Sequence, residues 1–462
     1  MTKCGGDAKH PRLILIVCIF ASSLAFIDGS VLNVALPAVG GDFGAATAEV
    51  QWVMNAYTLP LSALLLLGGA VGDLYGRRRT MLVGIALFTA ASVLCAAAPS
   101  LAVLLAGRAL QGLGAALLMP NSLAILSASF GGEARGRAVG SWAAAGAVAG
   151  AIAPLLGGWL VDQVGWPAIF LINVPIALAA IALGWAYVPE SANDEKPPPD
   201  WRGAALATLG LGALTWGLTA WSATGTMDAG AAATMAAGSA LLALFLLAEH
   251  RRGDEAMMPL GLFGSRAYLG LTGFTFLLYG ALAGLMLLLP YTLIEGLGYS
   301  AMEAGLALFP FPIIIAAGSP LMGKLAARIG PRWPLTLGPL IVAAGFALGL
   351  RIEGDADYWS HVFPTVAIIS LGMALAVAPL TTAVLSAVDA HHVGTASGLN
   401  SAVSRGGGLI VVALLGLVLS RRGEALLGGL HDAALAGAAL ALAAALIAFV
   451  TLGSFRPAPE TA

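Results

Sequence analysis

Apolar residues in this chain come in long runs, and each run is broken by a short polar turn. Runs of span length cover about 13–36, 50–72, 80–98, 102–128, 137–161, 167–188, 203–221, 229–248, 267–290, 304–326, 334–350, 361–387, 396–419 and 433–454. A helix rises about 1.5 Å per residue, so roughly 20 mostly apolar residues cross a hydrocarbon core about 30 Å thick. The pattern therefore predicts an all-α membrane protein with 14 transmembrane helices. The first run follows Lys3, Lys9 and Arg12, as a signal peptide's core would. It continues past Asp28 to Pro37 and lacks a small-residue cleavage pattern, so a retained first span is expected.

The polar turns carry their own signal. Cytoplasmic loops collect Lys and Arg. With the N-terminus placed inside and the spans alternating, most of the 22 basic residues fall on the inner side. The exceptions are Arg351, Arg421 and Arg422 outside, and Arg108 and Arg405 within spans. This bias predicts that both termini are cytoplasmic. The Arg421–Arg422 pair makes the last two spans the least regular part of the pattern. The turn Gly72-Asp73-Leu74-Tyr75-Gly76-Arg77-Arg78 after span 2 has a counterpart after span 10, from Gly323 through Lys324 and Arg328 to Gly330-Pro331-Arg332. Setting spans 7 and 8 aside leaves two six-span halves with matching turns, which suggests a parallel internal repeat. The expected organisation is a six-helix bundle over 1–190, a linker with two extra helices over 191–266, and a second six-helix bundle over 267–462. The polar stretch Pro189–Asp200, with Pro197-Pro198-Pro199, is the candidate linker.

Composition narrows the classes of function. Hydrophobic residues make up 59% of 462 and charged residues 10%, against about 25% charged in soluble domains. The formal charge of −2 gives no bias toward nucleic acid. Cys4, Cys18 and Cys95 have neither metal-site spacing nor a disulfide framework. No metal and no cofactor are expected.

Asp28 is the most informative position, an acid inside an apolar span. Such a residue is costly and marks a functional candidate by default. It suits a group that takes up and releases protons; the alternatives are a fixed ion pair or a helix-end bond. Arg108 in span 4 lies at matching depth, about 9–12 Å from the outer end at ~1.5 Å per residue. It stays charged and can favour the carboxylate form of a neighbour, or it can snorkel to the interface. The turn residues Gly69, Gly72, Asp73, Gly76, Arg77 and Arg78 form a candidate gating loop, in which Asp73 can pair with an Arg or a helix terminus. The ordinary alternative is a positive-inside loop. Gly146, Gly150, Pro154, Gly157 and Gly158 give span 5 a small-residue face and a proline that can bend it; generic tight packing is the alternative. Asn33, Asn55, Tyr57, Gln111, Phe276, Tyr279 and Arg405 are candidates to line a substrate cavity, with core hydrogen bonding or packing as the equal alternative. Trp142 belongs with the aromatics able to receive a flat or cationic ligand. Glu295 and His391-His392 read as solvated.

At these residues the chain resembles the fourteen-span drug:proton antiporter family of the major facilitator superfamily, over nearly its whole length. Asp28-Gly29-Ser30-Val31-Leu32-Asn33-Val34-Ala35-Leu36-Pro37 resembles that family's first-span signature, with Ser30 where Thr is usual. Gly69–Arg79 is similar to the superfamily's loop between spans 2 and 3, and Arg108-Ala109-Leu110-Gln111-Gly112 to its span-4 motif. Span 5 is similar to the antiporter motif, with Ala153 before Pro154 where Gly is usual. The string 166–175 is similar to a span-6 string of the family, with Pro167-Ala168 replacing a commoner Arg-Trp pair. The resemblance implies proton-driven efflux of small, hydrophobic or cationic molecules across the bacterial cytoplasmic membrane by alternating access. It places Asp28 and Arg108 in proton coupling; a monomer is expected, with its substrate, protons and lipid as partners. A dedicated exporter of one metabolite or antibiotic would carry the same motifs. A membrane sensor or an enzyme is less favoured. No stretch has the ~50 residues a soluble domain needs, and no catalytic string is present.

Overall fold

The computed structural model describes residues 10–192, 199–389 and 392–453. The readings at Lys3, Cys4, Lys9, Lys196, Pro197, Pro198, His391 and Arg456 lie outside the described residues. Among the described residues there are 14 helices long and apolar enough to span a bilayer. They are α1 Pro11–Phe43, α2 Ala48–Tyr75, α3 Arg77–Ala96, α4 Leu101–Ser129, α5 Gly132–Gln163, α6 Ala168–Tyr187 and α7 Trp201–Thr224. Then follow α8 Ala229–Arg252, α9 Arg266–Glu295, α10 Ala301–Ile329, α11 Arg332–Gly349, α12 Tyr358–Ser386, α13 Val393–Leu419 and α14 Glu424–Thr451. Every expected span is present, and most run a few residues longer than the apolar runs. In lipid the helix must continue until its backbone groups reach water or a cap, so its ends extend into polar sequence.

The largest difference is at α14, which starts at Glu424 and not near residue 433. Its first turns carry polar residues that the apolar criterion rejects, and the structure provides for them. Asp432 takes a 2.7 Å hydrogen bond from Arg421 Nη1, and the His431 ring lies 2.9 Å from the Ile352 carbonyl. Glu295, expected to be solvated, lies 3.9 Å from Arg422 at the end of α9.

The chain divides into two compact units, Met1–Thr208 and Leu209–Ala462, with the boundary inside α7. In the first unit α1 packs along α5 and α6, α4 along α2 and α3, and α3 touches α6. In the second unit α9 packs along α13 and α14, α12 along α10 and α11, and α11 along α14. Numbering each set of six from one, both units use the pairings one–five, one–six, two–four, three–four and three–six. The repeat predicted from two matching turns thus extends to the packing of whole bundles. Close glycine approaches repeat as well. A methyl group on Gly84 would lie 2.8 Å from the Gly114 carbonyl between α3 and α4. One on Gly338 would lie 2.8 Å from the Gly372 carbonyl between α11 and α12. Small residues let membrane helices approach until dispersion holds them, where no hydrophobic drive operates between lipid-covered surfaces. Helix α7 contributes to the second unit through Ser222, whose hydroxyl donates to the Ala413 carbonyl of α13 at 2.6 Å.

The two matching turns have the same backbone solution. Gly76 has φ +106° between α2 and α3, and Gly330 has φ +83° between α10 and α11. Side chains are disfavoured there, and glycine lets one helix end and the next begin within a residue or two.

Candidate functional site

Asp28 and Arg108 meet inside the first unit, and both side chains are fully enclosed. Arg108 Nη1 donates to Asp28 Oδ2 at 2.5 Å and to Gln111 Oε1 at 2.8 Å. Arg108 Nε donates to the Val53 carbonyl of α2 at 3.1 Å. Gln111, one turn beyond Arg108 on α4, closes the ring: its amide nitrogen donates to Asp28 Oδ1 at 3.1 Å and to Ser92 Oγ of α3 at 2.8 Å. Each carboxylate oxygen therefore has a donor. The Tyr57 ring lies 4.4 Å from the guanidinium carbon and the Phe170 ring 5.8 Å. An aromatic face attracts a cation most where water is excluded. Arg108 Nη2 has no hydrogen-bond acceptor among the described residues, and the Tyr57 ring face adds a cation–π contact to the guanidinium.

Helix periodicity explains why this cluster forms. Residues three apart share a helix face, which sets Arg108 and Gln111 together on α4. Gly112, next to Gln111, abuts Tyr57 and Pro60 of α2, and a methyl group there would lie 2.6 Å from Pro60 Cγ. That close approach brings the Val53 carbonyl and the Tyr57 ring within reach of a side chain on α4. Two buried charges are stable only when paired and hydrogen-bonded, since removal from water costs each several kcal/mol.

The turn between α2 and α3 forms a second charged cluster. Arg77 binds Asp73 through Nε and Nη2, each at 2.8 Å. Three arginines at the start of α3 oppose the positive end of its helix dipole. Glu190, just past the end of α6, offsets this by accepting the amide protons of Arg78 at 2.9 Å and Arg79 at 3.2 Å. The Ser191 carbonyl accepts the Arg77 amide at 2.9 Å. The chain after α6 thus caps α3 from outside that helix. Gly76 faces the Glu190 carboxyl carbon, which a methyl group would meet at 2.7 Å. Gly72 opposes the Asn121 side chain of α4, and Asn121 donates to the Gly68 carbonyl at 2.9 Å. A methyl group on Gly69 would lie at ordinary contact distance, 3.5 Å, from Pro120.

On α5 the small residues face α1. Gly146 lies against the Phe26 ring, Gly157 against Val31, and Gly150 opposite Ser30 Oγ. Gly158 and Ala153 are buried and Pro154 lies within the helix. Trp142 donates its indole proton to Ser22 Oγ at 2.8 Å, which ties α5 to α1.

Of the residues proposed for a cavity, Gln111 and Tyr57 serve the ion pair in this conformation. Asn33 and Asn55 are buried, while Tyr279 and Arg405 are half-buried and Phe276 is exposed. Arg405 precedes Gly407, whose Cα packs on the Phe276 backbone and joins α13 to α9 as the α5 glycines join α5 to α1. Sequence reasoning missed Glu190, Ser92 and the Val53 carbonyl. Glu190 carried a visible signal, an acid directly after an apolar span beside a polyarginine turn. A hydroxyl on an apolar helix and a backbone carbonyl carry none.

A multi-pass helical membrane protein with a sealed ion pair in its first unit is the class this fold and site define. A sequence profile of the Major Facilitator Superfamily matches residues 18–410 and again 271–462. The chain is 35% identical over 398 residues to the multidrug resistance protein Stp of Mycobacterium tuberculosis, covering 86% of this chain and 74% of that protein. It is 31% identical over 422 residues to the tetracenomycin C resistance and export protein of Streptomyces glaucescens, covering 91% and 78%. In fold it resembles a peptide transporter crystallised with sulfate, with a TM-score of 0.71 at 16% identity over 96% of this chain and 94% of that one. The chain belongs to the major facilitator superfamily.

Proposed function

We propose that this protein exports small hydrophobic or cationic molecules across the bacterial cytoplasmic membrane in exchange for protons, with both termini cytoplasmic. The enclosed Asp28–Arg108 pair is the observation that carries the reading. An acid within a membrane span is costly, and a permanently charged arginine partner offsets that cost. In the cycle, Asp28 releases its bond to Arg108 when a proton arrives from outside. The two six-helix bundles 1–190 and 267–462 then change their arrangement, with 191–266 as a joining insert. The proton leaves inside as new cargo binds, and Arg108 retakes the carboxylate. Gln111 and Tyr57 hold Arg108 in place while Asp28 is neutral.

The turn at Gly69, Gly72, Asp73, Gly76, Arg77 and Arg78 acts as the gate, and its Asp73–Arg77 bond breaks and reforms with each cycle. The face formed by Gly146, Gly150, Pro154, Gly157 and Gly158 lets α5 slide and bend on α1. Asn33, Asn55, Phe276, Tyr279 and Arg405 contact cargo. The name of one relative, the tetracenomycin C resistance and export protein, supports the direction of transport.

The test is a drug-susceptibility panel in an efflux-deficient bacterium, comparing wild type with Asp28→Asn at equal expression. Resistance to several unrelated lipophilic cations, lost in the variant, is the expected result. Resistance to a single compound points to a dedicated exporter of one metabolite or antibiotic. Undiminished resistance in Asp28→Asn removes Asp28 from the mechanism.

A further inference from the structure

The Arg421–Arg422 pair departs from the charge pattern of the other turns, and the cavity beside it gives a physical reason. Inside the second unit lies a cavity of about 320 Å³, partly open to the surface. Leu285 and Leu288 of α9, Phe346 of α11, Val411 and Leu414 of α13, and Leu440 of α14 line it. Among the described residues, Arg421 and Asp432 are its only charged lining residues, and their ion pair closes at 2.7 Å. The volume equals roughly ten waters' share of the liquid. Water needs two to four polar partners, and apolar cavities of this kind stay dry and take apolar guests. The size falls at the low end of small-molecule sites, which are likewise mostly apolar with a few placed polar groups.

We propose that this cavity binds an anionic amphiphile, with its hydrocarbon chain among the leucines and its acidic group on Arg421. Asp432 already marks where that acidic group sits, because Arg421 holds its carboxylate there. Asp432 is the more exposed partner, 61% against 37% for Arg421, so it returns to water readily when displaced. The Arg421 stem packs on Gly429, with Cδ 3.3 Å from where a methyl group would be. The guanidinium thus stays at the mouth while its carbons cover apolar surface. Arg422 does not line the cavity and is engaged by Tyr291, whose hydroxyl accepts from it at 3.0 Å, and by Glu295, so of the two arginines Arg421 is the one that reaches the ligand. Leu417 and Ala436, both exposed, line the cavity from α13 and α14, so a chain can enter between those helices. The ligand is either a free fatty-acid-like molecule or one chain of an anionic phospholipid. The site is independent of Asp28 and of the export reading.

The experiment uses the full-length protein in nonionic detergent with two photoactivatable probes, a medium-chain fatty acid and a phosphatidylglycerol. Labelled peptides are mapped by mass spectrometry. The expected labels fall on α9, α13 and α14. Ala433→Phe, which fills the cavity, removes them, and Arg421→Gln weakens labelling about tenfold, as loss of one charge-assisted bond does. Leu435→Phe, on the exposed face of α14, leaves labelling unchanged. Thermal unfolding of Ala433→Phe at or above the wild-type temperature shows that the variant folds. Labelling by the fatty acid alone identifies a free amphiphile, and labelling by the phospholipid identifies a lipid chain. Labelling that is absent with both probes, or equal in all variants, overturns the proposal. So does a fatty-acid methyl ester that labels as strongly as the acid.

Discussion

The ion pair makes a quantitative prediction about stability. Asp28→Asn leaves the Arg108 charge fully enclosed with only neutral partners: the Gln111 oxygen, the Val53 carbonyl and the Tyr57 ring. Arg108→Gln leaves the Asp28 carboxylate with the Gln111 amide alone. Breaking a buried pair from one side costs about 3–5 kcal/mol, because the remaining charge stays out of water. At about 1.4 kcal/mol per factor of ten, each single variant should shift the unfolding equilibrium by at least a hundredfold. The double variant Asp28→Asn/Arg108→Gln strands no charge, so its cost should fall short of the sum by about 3 kcal/mol. The assay is reversible unfolding in mixed micelles with increasing SDS, read by circular dichroism for all four proteins. Additivity within about 0.5 kcal/mol would refute the reasoning, since independent sites add to that tolerance.

Gly84→Ala should destabilise by about 1–3 kcal/mol, because the added carbon would lie 2.8 Å from the Gly114 backbone. Gly41→Ala meets nothing within 4 Å on α1 and should be neutral or stabilising by up to about 1 kcal/mol; the same unfolding assay reads both. Glu190→Ala should cost about 1 kcal/mol as a lost helix cap, and Glu190→Gln less. Hydrogen exchange at the Arg78 and Arg79 amides localises that effect. Asp357 caps α12, and the backbone amide of Ser360, then its hydroxyl, hold the carboxyl below its ordinary range. A depressed carboxylate stabilises the fold above its unfolded value and loses that effect as pH falls through the folded value. The first turn of α12 should therefore hold at neutral pH and fray only below about pH 4, and Asp357→Asn should remove that acid dependence in exchange at Ser360.

Much of this architecture was legible because a bilayer makes one requirement of every span. Apolar runs had to be long, and charges had to collect in turns, so fourteen helices and a repeat could be read directly. The α14 start could not, because Glu424, His431 and Asp432 look like loop until Arg421 and the Ile352 carbonyl are seen beside them. Depth matching brought Asp28 and Arg108 to the same level, but depth alone does not make two helices touch. The packing of α1 on α4 shows only in the assembled bundle, where the glycine approaches of α2 and α3 to α4 add the Val53 carbonyl, the Tyr57 ring and Ser92 around the pair. Gln111 read as a cavity residue because a lone amide on a span gives no hint of its partners. Its part in the pair became visible only when α1, α3 and α4 were assembled. Glu190 fell in a stretch whose prolines signal a linker, and its capping role depends on where α6 ends relative to the Gly76 turn.

The most direct test of the central claim is proton movement in vesicles. Purified protein is reconstituted into liposomes with a pH-sensitive dye inside, and ethidium is added under an imposed pH gradient. In the wild type, substrate-dependent proton flux should accompany ethidium transport. In Asp28→Asn the flux should vanish, while the Leu435→Phe protein keeps it. Proton flux of wild-type size in Asp28→Asn would contradict the account.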